Sequence, residues 1–148
     1  MPYFLDGNNL IGRARGTSQP GQEDRSALIS ELCERLRRTR ARVVVFFDGT
    51  APAGATALGG LFIRFSGGVS ADEAILREIS RSPAPGEIVL VTADRGLSRL
   101  AREAGARTLA PEEFWRRFGA SFAPDPERAA TVDVEEWMRY FDDEKNRD

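Results

Sequence analysis

Four aspartates are the residues of this chain best suited to chemistry: Asp6, Asp48, Asp72 and Asp94. Three follow apolar stretches, and the fourth lies near the start of a helix-like segment. Carboxylates brought together repel one another and raise one another's pKa unless a cation intervenes. Mg²⁺ and Mn²⁺ favour such oxygen ligands, and a bound metal polarises a phosphate and activates a water. The pattern therefore indicates metal-assisted hydrolysis of a phosphodiester.

The composition excludes most other catalytic routes. There is no histidine, which rules out serine–histidine–aspartate triads, histidine-based RNA cleavage and histidine-rich zinc sites. Lys145 is the only lysine, so the domain offers neither a P-loop lysine nor a Schiff-base lysine. The single cysteine, Cys33, excludes an internal disulfide and a cysteine-rich zinc site, and we interpret it as a core residue.

The charge is unevenly distributed along the chain. Residues 1–119 carry 17 arginines against 14 acidic residues, whereas residues 120–148 carry 9 acidic residues against 4 basic ones. A basic rim around an acidic, metal-loaded pocket suits a polyphosphate partner such as RNA, although an arginine-rich surface also simply keeps a protein in solution. The longest apolar run, residues 43–47, is too short to cross a bilayer, and no signal peptide is recognisable. We therefore expect a cytoplasmic protein without a membrane segment.

Apolar runs alternate with helix-like segments, which predicts a single α/β domain built from βαβ units around a parallel sheet. Strands are expected at residues 3–5, 43–47, 61–65, 88–91 and 107–109. Helices are expected over residues 28–36 and after Ser70, Asp94 and Ala110, with Gly105 ending the third. Residues 12–22 and 52–60 are predicted loops. We assign residues 1–119 to the domain and residues 120–148 to an acidic extension with a short helix at 133–140.

This arrangement predicts that the aspartates meet. Asp6, Asp48 and Asp94 each follow a strand, and ligands of open α/β sheets bind at the carboxyl edge. Asp72 precedes Ile75 by three residues and Ile79 by seven, which predicts a place on the inward stripe of its helix. Each aspartate also has a plainer interpretation, because such residues commonly form turns, cap helices or favour the helix dipole.

Several motifs, which follow one another along the chain in the family's order, resemble the YacP-like bacterial members of the NYN branch of the PIN-like nuclease superfamily. They are Asp-Gly-Asn-Asn-Leu-Ile at 6–11, Val-Val-Val-Phe-Phe-Asp at 43–48, Ala-Asp-Glu-Ala-Ile at 71–75, and Ile-Val-Leu-Val-Thr-Ala-Asp-Arg at 88–95. The resemblance implies a three-layer PIN-like fold with sheet order 3-2-1-4-5 and endoribonuclease activity with Mg²⁺ or Mn²⁺. Asp6, Asp48, Asp72 and Asp94 match the family's acidic positions, and Asn9 matches an asparagine that orients water or phosphate. Some members act on mRNA in connection with the ribosome, which adds the ribosome to the expected partners.

The chain departs from the family at Asn8, where an aromatic residue is usual, and this leaves the choice of substrate open. The arginines that we consider for contacts with RNA are Arg13, Arg15, Arg38, Arg40 and Arg95. Arginines near a helix end also stabilise the helix dipole, which is an equal alternative for Arg38 and Arg40.

Three other functions compete with the nuclease. A non-catalytic RNA- or ribosome-binding module on the same fold would not need the carboxylates. A haloacid-dehalogenase-type phosphatase is suggested by Phe-Asp-Gly-Thr at 47–50, but it would require an aspartate at Phe46 and a catalytic lysine. A DNA nuclease is separated from an RNA nuclease only by the family resemblance.

Overall fold

A computed structural model describes residues 2–15, 21–37, 39–49, 56–58 and 60–118. The domain is a three-layer α/β structure with a six-stranded sheet. The strands are β1 (Pro2–Asp6), β2 (Arg42–Phe47), β3 (Thr56–Leu58), β4 (Leu61–Phe65), β5 (Val89–Val91) and β6 (Arg107–Leu109). Their order is β3-β4-β2-β1-β5-β6. The five parallel strands confirm the predicted order 3-2-1-4-5.

Five helices cover the two faces of the sheet: α1 (Gly7–Arg15), α2 (Gln22–Leu36), α3 (Ala71–Arg81), α4 (Arg95–Glu103) and α5 (Pro111–Arg117). Leu28 of α2 and Phe114 of α5 belong to the core on one face. Ile75 of α3 and Leu97 of α4 belong to the core on the other face. Cys33 is half-buried against the first core, as predicted, and burial raises the pKa of its thiol.

The register brings the expected aspartates to one edge. Asp6 of β1 lies opposite Phe46 of β2, so that Asp48 follows two residues beyond that pair. Leu5 lies opposite Val91, the last residue of β5, and Asp94 follows three residues later. Helices in such units run back across the sheet, so α3 and α4 also begin at this carboxyl edge.

Two predicted loops contain regular structure. Residues 7–15 form α1, although we expected a loop from residue 12. Its only strongly apolar residues are the adjacent Leu10 and Ile11, which are buried but do not repeat at helical spacing, so the sequence carries no periodic signal. Within the predicted loop 52–60, Thr56–Leu58 forms β3, an antiparallel edge strand on β4. Three short residues at an edge show too little alternation to be recognised as a strand.

The other predicted strands and the helices after Ser70, Asp94 and Ala110 are confirmed within a few residues of their expected ends. The helix expected over residues 28–36 is confirmed as α2, which begins earlier, at Gln22. α4 ends before Gly105, whose φ of 102° is the left-handed conformation expected of a helix stop. None of the helices in the described residues is both long and apolar enough to span a membrane. Residues 119–148, including the helix predicted at 133–140, lie outside the described part of the chain.

Candidate active site

Asp6 is the buried member of the aspartate group. It ends β1 with 5% of its surface exposed. The Thr92 hydroxyl donates a hydrogen bond of 3.2 Å to its Oδ2. Burial, followed by the negative charge of Asp72, raises the pKa of Asp6 to about 7, although hydrogen bonds from Thr92 and the Asn9 backbone oppose the shift. The negative charge of Asp48 adds a smaller increment, so the site favours the protonated form unless positive charge is supplied.

Asp48 is held by neighbouring elements through both carboxylate oxygens. The backbone N–H of Ala71, at the start of α3, donates to Oδ1 at 2.7 Å. The Asn8 side-chain amide of α1 donates to Oδ2 at 2.5 Å. The guanidinium of Arg25 in α2 donates to the main-chain oxygen of Asp48 at 3.2 Å. The orientation of this carboxylate is therefore fixed by α1 and α3, and its backbone by α2.

Asp72 lies in the first turn of α3 and is exposed rather than turned into the core. The buried residues of α3 are Ala71, Ile75 and Ile79, which repeat every four residues, so Asp72 lies at the margin of the inward stripe and not at its centre. Partial burial is the main cause that raises its pKa, and the charges of Asp94 and Asp48 add to the shift. Asp72 is thus electrostatically coupled to all three other aspartates.

Asp94 is exposed and also serves as a helix cap. Its Oδ1 accepts a 3.0 Å hydrogen bond from the backbone N–H of Leu97, which makes it the N-cap of α4. Its own backbone N–H donates to the Thr92 hydroxyl oxygen at 3.1 Å. Because Thr92 also binds Asp6, one hydroxyl connects the ends of β1 and β5. The capping interpretation is correct for Asp94, and it leaves the second carboxylate oxygen without an assigned hydrogen bond in the described structure.

The four carboxylates share one edge without forming a tight chelate. Among the described residues, no three acidic or cysteine side chains lie close enough to hold one metal ion together. The donor set nevertheless fits a hydrated cation. All four groups supply oxygen, Asp6 and Asp72 have raised pKa values that positive charge would relieve, and the buried Oδ1 of Asn8 has no hydrogen-bond partner. Mg²⁺ usually keeps several waters, so outer contacts of this kind suit it.

The other predicted site residues divide between the two edges of the sheet. The Asn9 Oδ1 accepts a 2.9 Å hydrogen bond from the Ala93 backbone, which ties α1 to the loop after β5. Arg95 is exposed beside Asp94, and Arg13 forms an ion pair with Glu112 at the start of α5. Arg40 precedes β2 and lies at the amino edge, away from the aspartates. The side chain of Arg15 and the whole of Arg38 lie outside the described residues.

Three polar residues at this edge were not predicted to contribute: Thr92, Asn8 and Arg25. Thr92 and Asn8 lie within motifs that the chain shares with the family, but the sequence does not reveal their hydrogen bonds to the aspartates. Arg25 precedes the buried Leu28 and Ile29 by three and four residues, so the helical spacing could have placed it on the inner face. Its guanidinium lies over the ring of Phe47, 5.5 Å from the centroid.

The sequence comparison decides the family. Residues 3–133 match the sequence model of the YacP-like NYN domain. The chain belongs to the YacP-like NYN family. This NYN protein therefore has a nuclease-like domain of an RNA-related family. The match extends past residue 119, at which we divided the sequence. No curated protein matches the chain.

Crystal structures of a Bacillus subtilis protein are among those that resemble this NYN domain. Rae1 (YacP) from Bacillus subtilis has 21% sequence identity and a TM-score of 0.61, with 99% of this chain and 84% of that chain covered. A point mutant of the same protein has 21% identity and a TM-score of 0.62, with 94% and 79% covered. At this identity the similarity establishes the shared fold.

Proposed function

We propose that this protein is a divalent-metal-dependent endoribonuclease that hydrolyses RNA phosphodiesters at the carboxyl edge of the sheet. One observation carries the proposal: four aspartates from four separate segments are electrostatically coupled there, with the pKa of the buried Asp6 raised to about 7. A protein that only bound RNA would gain nothing from negative charge beside a phosphate. Membership of a nuclease-like family agrees with this function.

Asp6, Asp48, Asp72 and Asp94 are the residues that would hold Mg²⁺ or Mn²⁺. When bound, such a metal polarises the phosphate, supplies an activated water and neutralises charge on the leaving oxygen. The chain's own part is orientation. Thr92 fixes the Asp6 carboxylate, Ala71 and Asn8 fix that of Asp48, and the Leu97 backbone fixes that of Asp94. Asn9 holds the loop before Asp94 through Ala93.

Arg95 is the arginine best placed to contact the phosphates of a bound RNA. It is exposed at the first position of α4, directly after Asp94. A guanidinium binds phosphate oxygens through two parallel hydrogen bonds, which also fixes their orientation. Arg13 lies on α1 and already forms an ion pair with Glu112. We therefore expect it to bind an RNA phosphate more weakly than Arg95 does. We further propose that the protein acts in the cytoplasm on mRNA, including mRNA at the ribosome.

Cleavage of an end-labelled RNA tests the function. Wild-type protein should cleave with Mn²⁺ or Mg²⁺ and lose activity in EDTA. Asp6→Asn and Asp94→Asn should each lower kcat by at least about 100-fold, because each removes charge on which metal-assisted chemistry depends. Circular dichroism should show that both variants remain folded.

Glu103→Gln is the matched control, because Glu103 is an exposed carboxylate at the far end of α4. It should cleave like the wild type. Equal cleavage by wild type, Asp6→Asn and Asp94→Asn would reject the mechanism. A parallel assay with DNA of the same sequence tests the preference for RNA.

A non-catalytic RNA- or ribosome-binding module is the second candidate. It is favoured by the absence, among the described residues, of a ready-made group of three metal-binding side chains. Its signature would be RNA binding by the wild type without metal-dependent cleavage, either of free RNA or of ribosome-bound mRNA, and binding unchanged by Asp6→Asn.

A further inference from the structure

Asn8 contacts the acidic site in a way that the family's usual aromatic residue could not. It is the second residue of α1, directly after the turn at Gly7 that follows Asp6. Its Nδ2 donates to Asp48 Oδ2 at 2.5 Å. The opposite amide orientation would put the Asn8 oxygen against a carboxylate oxygen, with two acceptors and no proton between them. The amide nitrogen therefore faces Asp48.

This orientation leaves the amide oxygen of Asn8 in an unusual situation. Oδ1 is buried and accepts no hydrogen bond in the described structure. Nearly all buried polar atoms in proteins have a partner, and an exception requires an explanation such as a bound water or ion. Because the two atoms of the amide are covalently fixed, Oδ1 lies within a few ångströms of the Asp48 carboxylate. A donor bound at the edge of the acidic site would supply the missing partner.

We propose that Asn8 is a positioning residue that binds Asp48 with its amide nitrogen and accepts a hydrogen bond from the hydrated cation with its amide oxygen. The inference rests on the proposed function, since it requires that Asp6 and its neighbours hold a divalent cation. Waters of a hydrated cation are strong donors, and only an acceptor atom can receive their hydrogen bonds. An amide supplies both the donor for Asp48 and the acceptor for water in one short side chain.

The carboxylates need not contact a single metal ion directly. A cation that keeps part of its water shell reaches nearby groups through its waters, so the ligands can stand further apart than in a direct chelate. Asn8 then belongs to the outer contacts of the metal, together with the carboxylate that it orients. Such outer contacts commonly change metal affinity 10- to 100-fold in proteins.

Mn²⁺ binding measured without RNA tests the inference. The titrations use the full chain as wild type, Asn8→Leu and Asn8→Asp, with calorimetry for affinity and thermal unfolding for stability. Leucine has a similar shape but neither polar atom, so Asn8→Leu should bind Mn²⁺ at least about tenfold more weakly. Glu103→Gln is the control and should bind Mn²⁺ like the wild type.

Asn8→Asp separates this role from a merely structural one. The added carboxylate repels Asp48, so this variant should melt below the wild type in EDTA. Mn²⁺ should then raise its melting temperature by more than that of the wild type. The cation would relieve the repulsion between the new carboxylate and Asp48 as well as the repulsion among the four native aspartates. If Asn8 serves only local packing, out of reach of the cation, the Mn²⁺-induced increase should be the same in both proteins.

The outcomes distinguish the two proposals. Unchanged Mn²⁺ affinity in Asn8→Leu, or an equal Mn²⁺-induced shift in Asn8→Asp and wild type, overturns the role of Asn8 while the metal site stands. Absence of Mn²⁺ binding by the wild type overturns the metal site itself, and the role of Asn8 with it.

Discussion

Burial and neighbouring negative charge keep a proton on Asp6 up to about neutral pH in the metal-free protein. The pKa of Asp6 is about 7 in the folded chain against an ordinary value of 3.8. Thr92 opposes this shift by donating to Oδ2, so the carboxylate is oriented even though it is destabilised. This residue therefore couples folding to proton binding.

The stability of the metal-free protein should depend on Asp6 and on pH. Between about pH 4 and pH 7 the folded state binds more protons at Asp6 than the unfolded state, so the free energy of unfolding falls as pH rises. The raised pKa destabilises the fold at alkaline pH by at most about 4 kcal/mol. Asp6→Asn removes this term and should be more stable than wild type near pH 8 in EDTA, by up to that amount.

Urea unfolding across the pH range in EDTA measures this difference. The difference in unfolding free energy between Asp6→Asn and the wild type should narrow as the pH falls from about 7 to about 4, because Asp6 is protonated in the folded wild type and becomes protonated in the unfolded chain as well. A gap that stays constant across the range would show that Asp6 does not have a raised pKa.

At the residue level, the candidate aspartates were predictable because their positions follow from strand and helix boundaries. Asp6, Asp48 and Asp94 need only the ends of three strands, which hydrophobic runs mark well. The hydrogen bonds from Asn8, Thr92 and Arg25 were not predictable, because they depend on side-chain distances between elements that are far apart in sequence. Arg38 lies outside the described residues, so its contact with the substrate remains a prediction, whereas Arg40 lies at the amino edge, away from the aspartates.

Helix α1 depends on close packing at its first residue. A Cβ added to Gly7 would lie 2.5 Å from Phe47 Cε1 and 2.9 Å from the Phe46 carbonyl oxygen. Both neighbours belong to a buried central strand and cannot move freely. The turn between β1 and α1 therefore requires glycine for space, and Asn8 and Asn9 take their positions from it.

Gly7→Ala should destabilise the protein by about 1–3 kcal/mol, the usual cost of overpacking a core. It should also lower RNA cleavage, because displacement of α1 moves Asn8 away from Asp48. Gly68→Ala is the control, since a Cβ there meets nothing within 4 Å. Chemical denaturation and the cleavage assay are the measurements. Equal stability of the two variants would contradict tight packing at Gly7.

At the element level, five of the six strands and four of the five helices of the described residues were predicted from periodicity. The two elements that were not predicted have a common physical cause. Both α1 and β3 are short and owe their structure to a neighbour: α1 to burial of Leu10 and Ile11, and β3 to pairing with β4. Tertiary contacts of this kind leave little trace in local sequence.

The two edges of the sheet differ in their chemistry across the whole molecule. The aspartates and Arg95 occupy the carboxyl edge. The amino edge carries Arg40 and Arg42. Arg42 lines a cavity of about 460 Å³ together with Arg64, Arg81, Glu78 and Glu87. The eight steps along the backbone from Arg40 to Asp48 span about 25 Å at the rise of a strand. A short RNA bound at the aspartates would not reach the arginines of the amino edge.

Charge reversal at each edge should therefore have different effects on a short RNA. Arg95→Glu should weaken binding several-fold and reduce the salt dependence of binding by about one counterion, because it removes a phosphate contact. Arg40→Glu should leave both nearly unchanged. Fluorescence anisotropy over a range of salt concentrations is the measurement. Equal losses in both variants would mean that RNA extends around the domain to the amino edge.

The fold was predicted partly from the hydrophobic pattern and partly from the family resemblance, and the strand order of the sheet separates the two contributions. Alternating apolar runs predicted an α/β domain with parallel strands, but they contain no information on which strands are neighbours. The order 3-2-1-4-5 came from the family motifs and is confirmed by the register. The metal, the RNA and the cytoplasmic location stay predictions, because they concern partners rather than the chain's own packing.

The lone thiol of Cys33 has a practical consequence for spectroscopy. It is half-buried in α2, and burial raises its pKa, so little reactive thiolate is present at neutral pH. Arg99 is exposed on α4, and a cysteine introduced there would react with a nitroxide reagent well before Cys33 does. A single paramagnetic label could thus be attached without first replacing the native thiol, and its dipolar coupling to Mn²⁺ would report where the cation sits.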